Sequence, residues 1–221
     1  MAGETTKTKG VCLNIYPWSK TSHIVSWLTP KGKITTSVKG AARPKSAFLG
    51  QYDLNYECEI VYYLGAKGDV HALRECAPTA LREELRLDYK KLLLAEHFRA
   101  VAESLAPSGP DAENWFDLLT DSLNRLIADC NLVAEMLSFE TKALELTGLS
   151  PKIEAYSGSF ALRGERRLPV SREIAQCISD PRSEKKFEIL LDASRVIGVF
   201  YVFHLDEIPR TRRFVLQAIQ Q

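Results

Sequence analysis

The 221 residues carry 29 Lys and Arg against 28 Asp and Glu, with 45% hydrophobic and 26% charged content, which is the make-up of an ordinary globular chain large enough for real cores. The longest apolar run, Val196–Phe203, is far too short for a membrane-spanning helix. Five single cysteines (Cys12, Cys58, Cys76, Cys130, Cys177) and an opening Met1-Ala2-Gly3-Glu4-Thr5-Thr6 without an apolar leader argue against a secreted disulfide scaffold, so a reduced, cytoplasmic chain is expected.

The net charge of +1 hides an asymmetry. Between Thr5 and Tyr52 there is no Asp or Glu, while Lys7, Lys9, Lys20, Lys31, Lys33, Lys39, Arg43 and Lys45 supply +8, leaving −7 for the rest. A basic end on an otherwise mildly acidic chain points to a polyanionic partner.

Residues 11–76 alternate like strands. Val11, Leu13 and Ile15 oppose Cys12, Asn14 and Tyr16. His23 to Thr29 forms a second run, ended by Pro30. In the third, Ile34, Thr36 and Val38 face one side and Lys33, Thr35, Ser37 and Lys39 the other, with Lys31 extending the cationic row. The turn Gly40-Ala41-Ala42-Arg43-Pro44-Lys45 adds two more cations. A fourth strand is predicted from Tyr52 to Tyr62, with Asp53, Asn55, Glu57 and Glu59 on its wet face. Gly65-Ala66-Lys67-Gly68-Asp69 reads as a hairpin turn, and Val70 to Glu75 as a fifth strand. Five short strands predict a small barrel; the OB-fold is the common solution and an SH3-like barrel the competitor.

At Pro78-Thr79 the period changes to about 3.6. Leu81, Leu85, Tyr89, Leu92, Leu93, Phe98, Val101 and Leu105 mark a long helix closed by Pro107-Ser108-Gly109-Pro110. Asp111 is a predicted N-cap for a segment running to Gly148, with a break near Asp129-Cys130-Asn131 that makes two antiparallel helices and Gly148 as the C-cap. Residues 149–170 read as irregular. Ser171 caps a short helix to Ser179, Asp180-Pro181 starts a longer one to about Phe203, and Arg210 to Ile219 ends as a basic helix. The predicted architecture is α+β in two domains: a five-stranded β-barrel of the OB-fold type (1–78), then an all-α helical domain (79–221) with an irregular insert at about 149–170.

No catalytic constellation assembles. His204, Asp206 and Glu207 lie together, but at a helix end before Pro209, where capping and solvation account for them; no metal is expected. No phosphate-binding glycine motif or nucleophile elbow is present. The strip Lys31, Lys33, Lys39, Arg43 and Lys45 is the candidate nucleic-acid surface, with Arg210, Arg212 and Arg213 as a possible extension. Trp18, Trp27, Phe48 and Tyr52 flank it; on a barrel surface they could stack bases, whereas Trp27 and Tyr52 read better as core. Two other classes fit parts of the pattern. One is a non-DNA-binding interaction adaptor with an OB-fold or SH3-like barrel. The other is a phosphoryl-transfer enzyme using the strand-four carboxylates with a divalent ion.

Three stretches in order carry a family resemblance. Val38-Lys39-Gly40-Ala41-Ala42-Arg43-Pro44-Lys45-Ser46 resembles a basic turn after a third strand. Leu137-Ser138-Phe139-Glu140, followed by Leu144-Glu145-Leu146-Thr147-Gly148-Leu149-Ser150-Pro151, resembles a helix ending in Gly-x-x-Pro, and the tail from His204-Leu205 to Pro209-Arg210-Thr211-Arg212-Arg213 is also similar. Their order is similar to that in the bacterial recombination mediator RecO family. The resemblance implies a non-enzymatic, cofactor-free protein associated with the nucleoid. It would bind single- and double-stranded DNA, anneal complementary strands and help load the RecA recombinase onto strands coated by single-strand-binding protein. It implies RecR and the acidic tail of single-strand-binding protein as partners, the tail docking in an apolar, basic-rimmed groove of the helical domain. The family's DNA contacts map to Lys39 and Arg43, with Lys45 adjacent. One departure stands out. Many relatives carry a four-cysteine zinc site just after the Gly-x-x-Pro, whereas this chain reads Ile153-Glu154-Ala155-Tyr156-Ser157-Gly158 with no paired cysteines. Residues 152–170 are therefore expected to be a zinc-free remnant or a loose loop.

Overall fold

The computed structural model describes residues 4–65, 69–109, 112–150, 153–156, 159–162, 170–205 and 209–220. The elements run β1 (Thr5–Ser19), β2 (Ser22–Thr29), β3 (Gly32–Val38), β4 (Glu57–Tyr63), β5 (Val70–Ala80), a 3-10 turn (Glu83–Leu87), α1 (Tyr89–Leu105), α2 (Glu113–Ile127), α3 (Leu132–Leu146), β6 (Ile153–Tyr156), β7 (Ser159–Leu162), α4 (Arg172–Ser179), α5 (Phe187–Leu205) and α6 (Thr211–Ile219). Two compact units result. One is Met1–Glu83 with Arg99–Leu123, and the other is Glu84–Phe98 with Asn124–Gln221. No helix among the described residues is long and apolar enough to cross a membrane.

In the first unit the strands close a barrel in the order β1-β2-β3-β5-β4. Antiparallel ladders join all neighbours except β3 and β5, which pair in parallel through Thr35–Val70, Thr36–His71 and Ser37–Ala72. This parallel closure is the OB-fold arrangement. The period-two pattern buries Cys12, Val25, Trp27, Val38, Cys58, Ile60, Tyr62 and Leu73 in one core. Trp27 is fully buried, and its indole N–H donates to Thr36 Oγ1 (2.9 Å), so no polar atom is stranded there. The opposite face of β1 is also covered: Arg99 of α1 donates to the Leu13 carbonyl and to Asn14 Oδ1 (2.8 Å).

Four expectations are corrected. The fourth strand starts at Glu57 rather than Tyr52, because the chain turns at Asn55 (φ 68°) and the Asn55 N–H donates to the Cys12 carbonyl. Its supposedly wet row is half buried: Arg82 donates to the Asn55 carbonyl (2.8 Å) and to Glu57 Oε2 (3.2 Å), covering both residues. The fifth strand runs through Pro78 to Ala80, with a register irregularity at Glu57/Cys58 beside the Cys58–Pro78 pair that accommodates a residue with no N–H. The first helix therefore begins only at Tyr89, where Asp88 Oδ1 accepts from the Lys90 and Lys91 N–H groups (2.8 and 3.3 Å). The hairpin turn predicted at 65–69 falls largely on residues 66–68, and the Asp111 cap on residue 111, all outside the described residues.

In the second unit α3 starts where Asn131 caps the Val133 and Ala134 N–H groups, which is the predicted break. It ends in a Schellman motif, with Gly148 at φ +75° and the Leu149 N–H reaching the Leu144 carbonyl (2.9 Å). Ser171 caps α4 as expected. Within the insert predicted to be irregular, β6 and β7 pair antiparallel, Ile153 with Leu162 and Tyr156 with Ser159. The next helix starts at Phe187 rather than Asp180. Asp180–Ser183 close a turn, and Glu184 Oε1 accepts from the Lys185 and Lys186 N–H groups (2.9 and 2.8 Å) just before α5.

Candidate nucleic-acid interface

The turn after β3 is built from residues that suit it. Gly40 adopts φ +70°, which a side chain rarely tolerates. The Arg43 N–H closes onto the Gly40 carbonyl (3.1 Å), and the Arg43 side chain folds back so that a Cβ on Gly40 would meet its Cδ at 3.3 Å. Further turns follow at Ser46, Leu49 and Gln51. Ala41 is buried in the barrel core, so the turn is seated while Lys39, Arg43 and Lys45 stay exposed. Tyr52 supports it from below, where its hydroxyl meets His23 Nδ1 at 2.8 Å.

The β1–β2 turn is bonded to the same place. The Ala42 N–H donates to the Thr21 carbonyl (3.2 Å) and the Gly40 N–H to Ser22 Oγ (3.4 Å). Lys20 thereby joins Lys39, Arg43 and Lys45 at one end of the barrel. All four are exposed, and among the described residues none of them forms an ion pair. The strand-four carboxylates do not reach them, because β3 lies between β2 and β5. Glu59 pairs instead with Lys7 (2.7 Å), and Glu57 with Arg82 (3.2 Å) and Lys9 (3.7 Å).

The rest of the predicted strip is divided. Lys33 is half buried, and its Nζ donates to the Glu103 carbonyl (2.6 Å). The Glu103 carboxylate accepts from Ser26 Oγ (3.1 and 3.2 Å). This side of β2 and β3 borders a cavity of about 450 Å³ lined by Ser26, Lys33, Thr35, Asp69, His71 and Glu103, a set of mixed sign rather than a bare cationic row. Lys31 is exposed but sits at the other end of β3, roughly 26 Å from Lys39 at strand rise. Of the α6 arginines, Arg210 and Arg213 are exposed, whereas Arg212 is buried with its guanidinium on Glu140 (2.7 and 3.0 Å) and the Ser194 carbonyl (2.5 Å).

The flanking aromatics also separate. Trp27 and Tyr52 belong to the core and Phe48 packs partly against it, while Trp18 is 75% exposed. Sequence reasoning passed over Lys20 as a site residue. Its signal was available, since a polar Ser-Lys-Thr-Ser turn after a β-run marks a hairpin tip, but which other turn that tip meets is a tertiary fact.

Residues 1–82 match the family described as Recombination protein O N terminal. Over a longer span the chain is similar to the DNA repair protein RecO of Alkaliphilus metalliredigens (29% identical over 150 residues, 66% of this chain and 60% of the relative). It is similar too to the proteins of that name from Moorella thermoacetica (26% over 168 residues, 75% and 61%) and Salinibacter ruber (29% over 167 residues, 71% and 63%). The matched region thus spans about three fifths of the length of these curated relatives. The matched region, residues 1–82, coincides with the OB-type barrel that carries the seated cationic turn, and over a longer span the chain is similar to proteins named DNA repair protein RecO.

Proposed function

We propose that the protein serves DNA repair by homologous recombination: it binds single- and double-stranded DNA, anneals complementary strands and helps load the RecA recombinase onto strands coated by single-strand-binding protein. One observation carries this reading, the exposed and unneutralised cluster of Lys20, Lys39, Arg43 and Lys45 held on a rigid turn. Four neighbouring cations can take up phosphates of one strand without reading its sequence, which lowers the repulsion a second strand meets. Lys31 is a further contact at the far end of β3, and Lys33 acts through its neighbours rather than on phosphate. RecR and the acidic tail of single-strand-binding protein are the partners of this reading. In this reading the tail would use the groove at the start of α6, about 330 Å³ and lined by Pro209, Arg210, Arg213, Leu216 and Gln217, whose apolar floor and cationic rim are compatible with an acidic peptide.

The test is a gel shift with single-stranded oligonucleotides across a salt series. The Lys39→Ala, Arg43→Ala double variant should bind every sequence more weakly, and its log-affinity against log-salt slope should flatten by about 0.7 per lost phosphate contact. Binding and slope unchanged at low salt would remove this surface from the mechanism.

A further inference from the structure

The bonding of the β1–β2 turn to the cationic turn leaves one residue unexplained. In the β1–β2 ladder Pro17 pairs with His23 and Ser19 with Ser22, so Trp18 is the extra residue of a β-bulge. A bulge re-aims the side chain it carries. Here it presents an indole with 75% of its surface in solvent, whereas Trp27 and Trp115 are 0% and 2% exposed. A lone exposed apolar side chain is ordinary. This one stands two residues from Lys20, beside a turn whose Thr21 carbonyl and Ser22 hydroxyl accept from the Ala42 and Gly40 N–H groups, between Lys39 and Arg43. Tyr16, two residues earlier on β1, is exposed as well.

We propose that Trp18 is a stacking platform for unpaired bases, placed so that the cations hold the phosphates while the indole takes a base. This rests on the nucleic-acid reading above and adds to it a means of telling single strand from duplex. Phosphates are common to both forms, but only an unpaired base exposes its face to an indole. When a complementary strand pairs with that base, the base leaves Trp18 for its partner, so the finished duplex keeps its ionic contacts and loses the stacking one. The device favours release of product over release of substrate.

The full-length chain would be titrated with a labelled oligothymidylate of about 16 nucleotides and with a mixed-sequence duplex of the same length, and anisotropy followed. Trp18→Ala should weaken the single strand by about 5- to 150-fold, the worth of one stacked base, and leave the duplex within about twofold. Trp18→Phe should restore most of the loss. Intrinsic fluorescence gives an independent readout. The buried tryptophans are out of a base's reach, so the single strand should quench wild-type emission and leave Trp18→Phe emission unchanged. Equal losses for strand and duplex, or unaltered single-strand affinity without quenching, would overturn the stacking role while the Lys39→Ala, Arg43→Ala effect still stood. Failure of the wild type to bind either form would overturn both readings.

Discussion

Glu140 has no exposed surface, yet it stays ionised because two groups converge on its carboxylate. Burial by itself raises its carboxyl; the Arg212 guanidinium and the His97 hydrogen bond (2.9 Å) outweigh that and hold the pKa at about 2, against an ordinary 4.5. An ionised carboxylate only accepts, so His97 Nε2 carries the hydrogen, and Nδ1 meets Thr211 Oγ1 at 3.0 Å. Because the folded-state pKa is depressed, the stabilisation is complete above about pH 4.5 and is lost as pH falls towards 2. Glu140→Gln should lower stability at neutral pH by about 3–5 kcal/mol, since it leaves Arg212 buried without its counter-charge. It should also flatten the dependence of the urea midpoint on pH across that acid window. The barrel's thiols behave differently. Cys58 and Cys76 both lie 3.5 Å from the Gln51 carbonyl, and Cys58 is held far above the usual thiol range by the Cys76 hydrogen bond and by burial. Sequence spacing gave no hint of this meeting, because only the register of β4 against β5 creates it.

At the level of elements, α6 is fastened to α3 and α5 through Arg212, and α5 makes room for it at Gly198. A Cβ there would come within 2.6 Å of Arg212 Nη1. That atom could swing away on a free side chain, but this one is fixed by Glu140 and by the Ser194 carbonyl. Gly198→Ala should therefore cost about 1–3 kcal/mol despite its better helix propensity, read as a lower urea midpoint with an unchanged m-value. What was legible in the sequence at this scale had a local cause. The alternation around Trp27 and Ile60, the Asn131 break, the Gly148 stop and the Ser171 cap all follow from periodicity or capping chemistry. Starts that depend on distant partners were misplaced. Tyr52 and Leu54 alternate like strand residues although the chain turns beside them at Asn55, whose carbonyl Arg82 holds, and Leu81 and Tyr89 fit a helical stripe although both are exposed. The candidate site shows the same division: Lys39, Arg43 and Lys45 were evident from local charge, while the withdrawal of Lys33 onto Glu103 required a segment seventy residues away.

Among the described residues, exposed positive charge gathers both at the barrel turn and at the start of α6, in different surroundings. The barrel turn offers exposed cations suited to a phosphate run, and the start of α6 offers Arg210 and Arg213 beside apolar Leu216, which is compatible with a short acidic peptide. The division predicts separable defects. Arg210→Ala with Arg213→Ala should reduce binding of a short acidic peptide by about tenfold, consistent with two partly exposed charge contacts at up to about 1 kcal/mol each. Calorimetry would measure this, while single-strand DNA affinity of the same variant should stay within about twofold. Loss of both activities together would mean that one surface serves both ligands.

Arg99, Glu103 and Pro107 complete the outside of the barrel: they bond to Leu13, to Ser26 and Lys33, and to the Lys33 N–H. A ribosome delivers residues in order, so all five strands emerge while these three are still inside the exit tunnel or unmade. The nascent sheet must wait, at about 5–20 residues per second, with Leu13 and Lys33 uncovered before its own later segment arrives. A pause in translation just after β5 would prolong that interval, and chaperone capture should concentrate there.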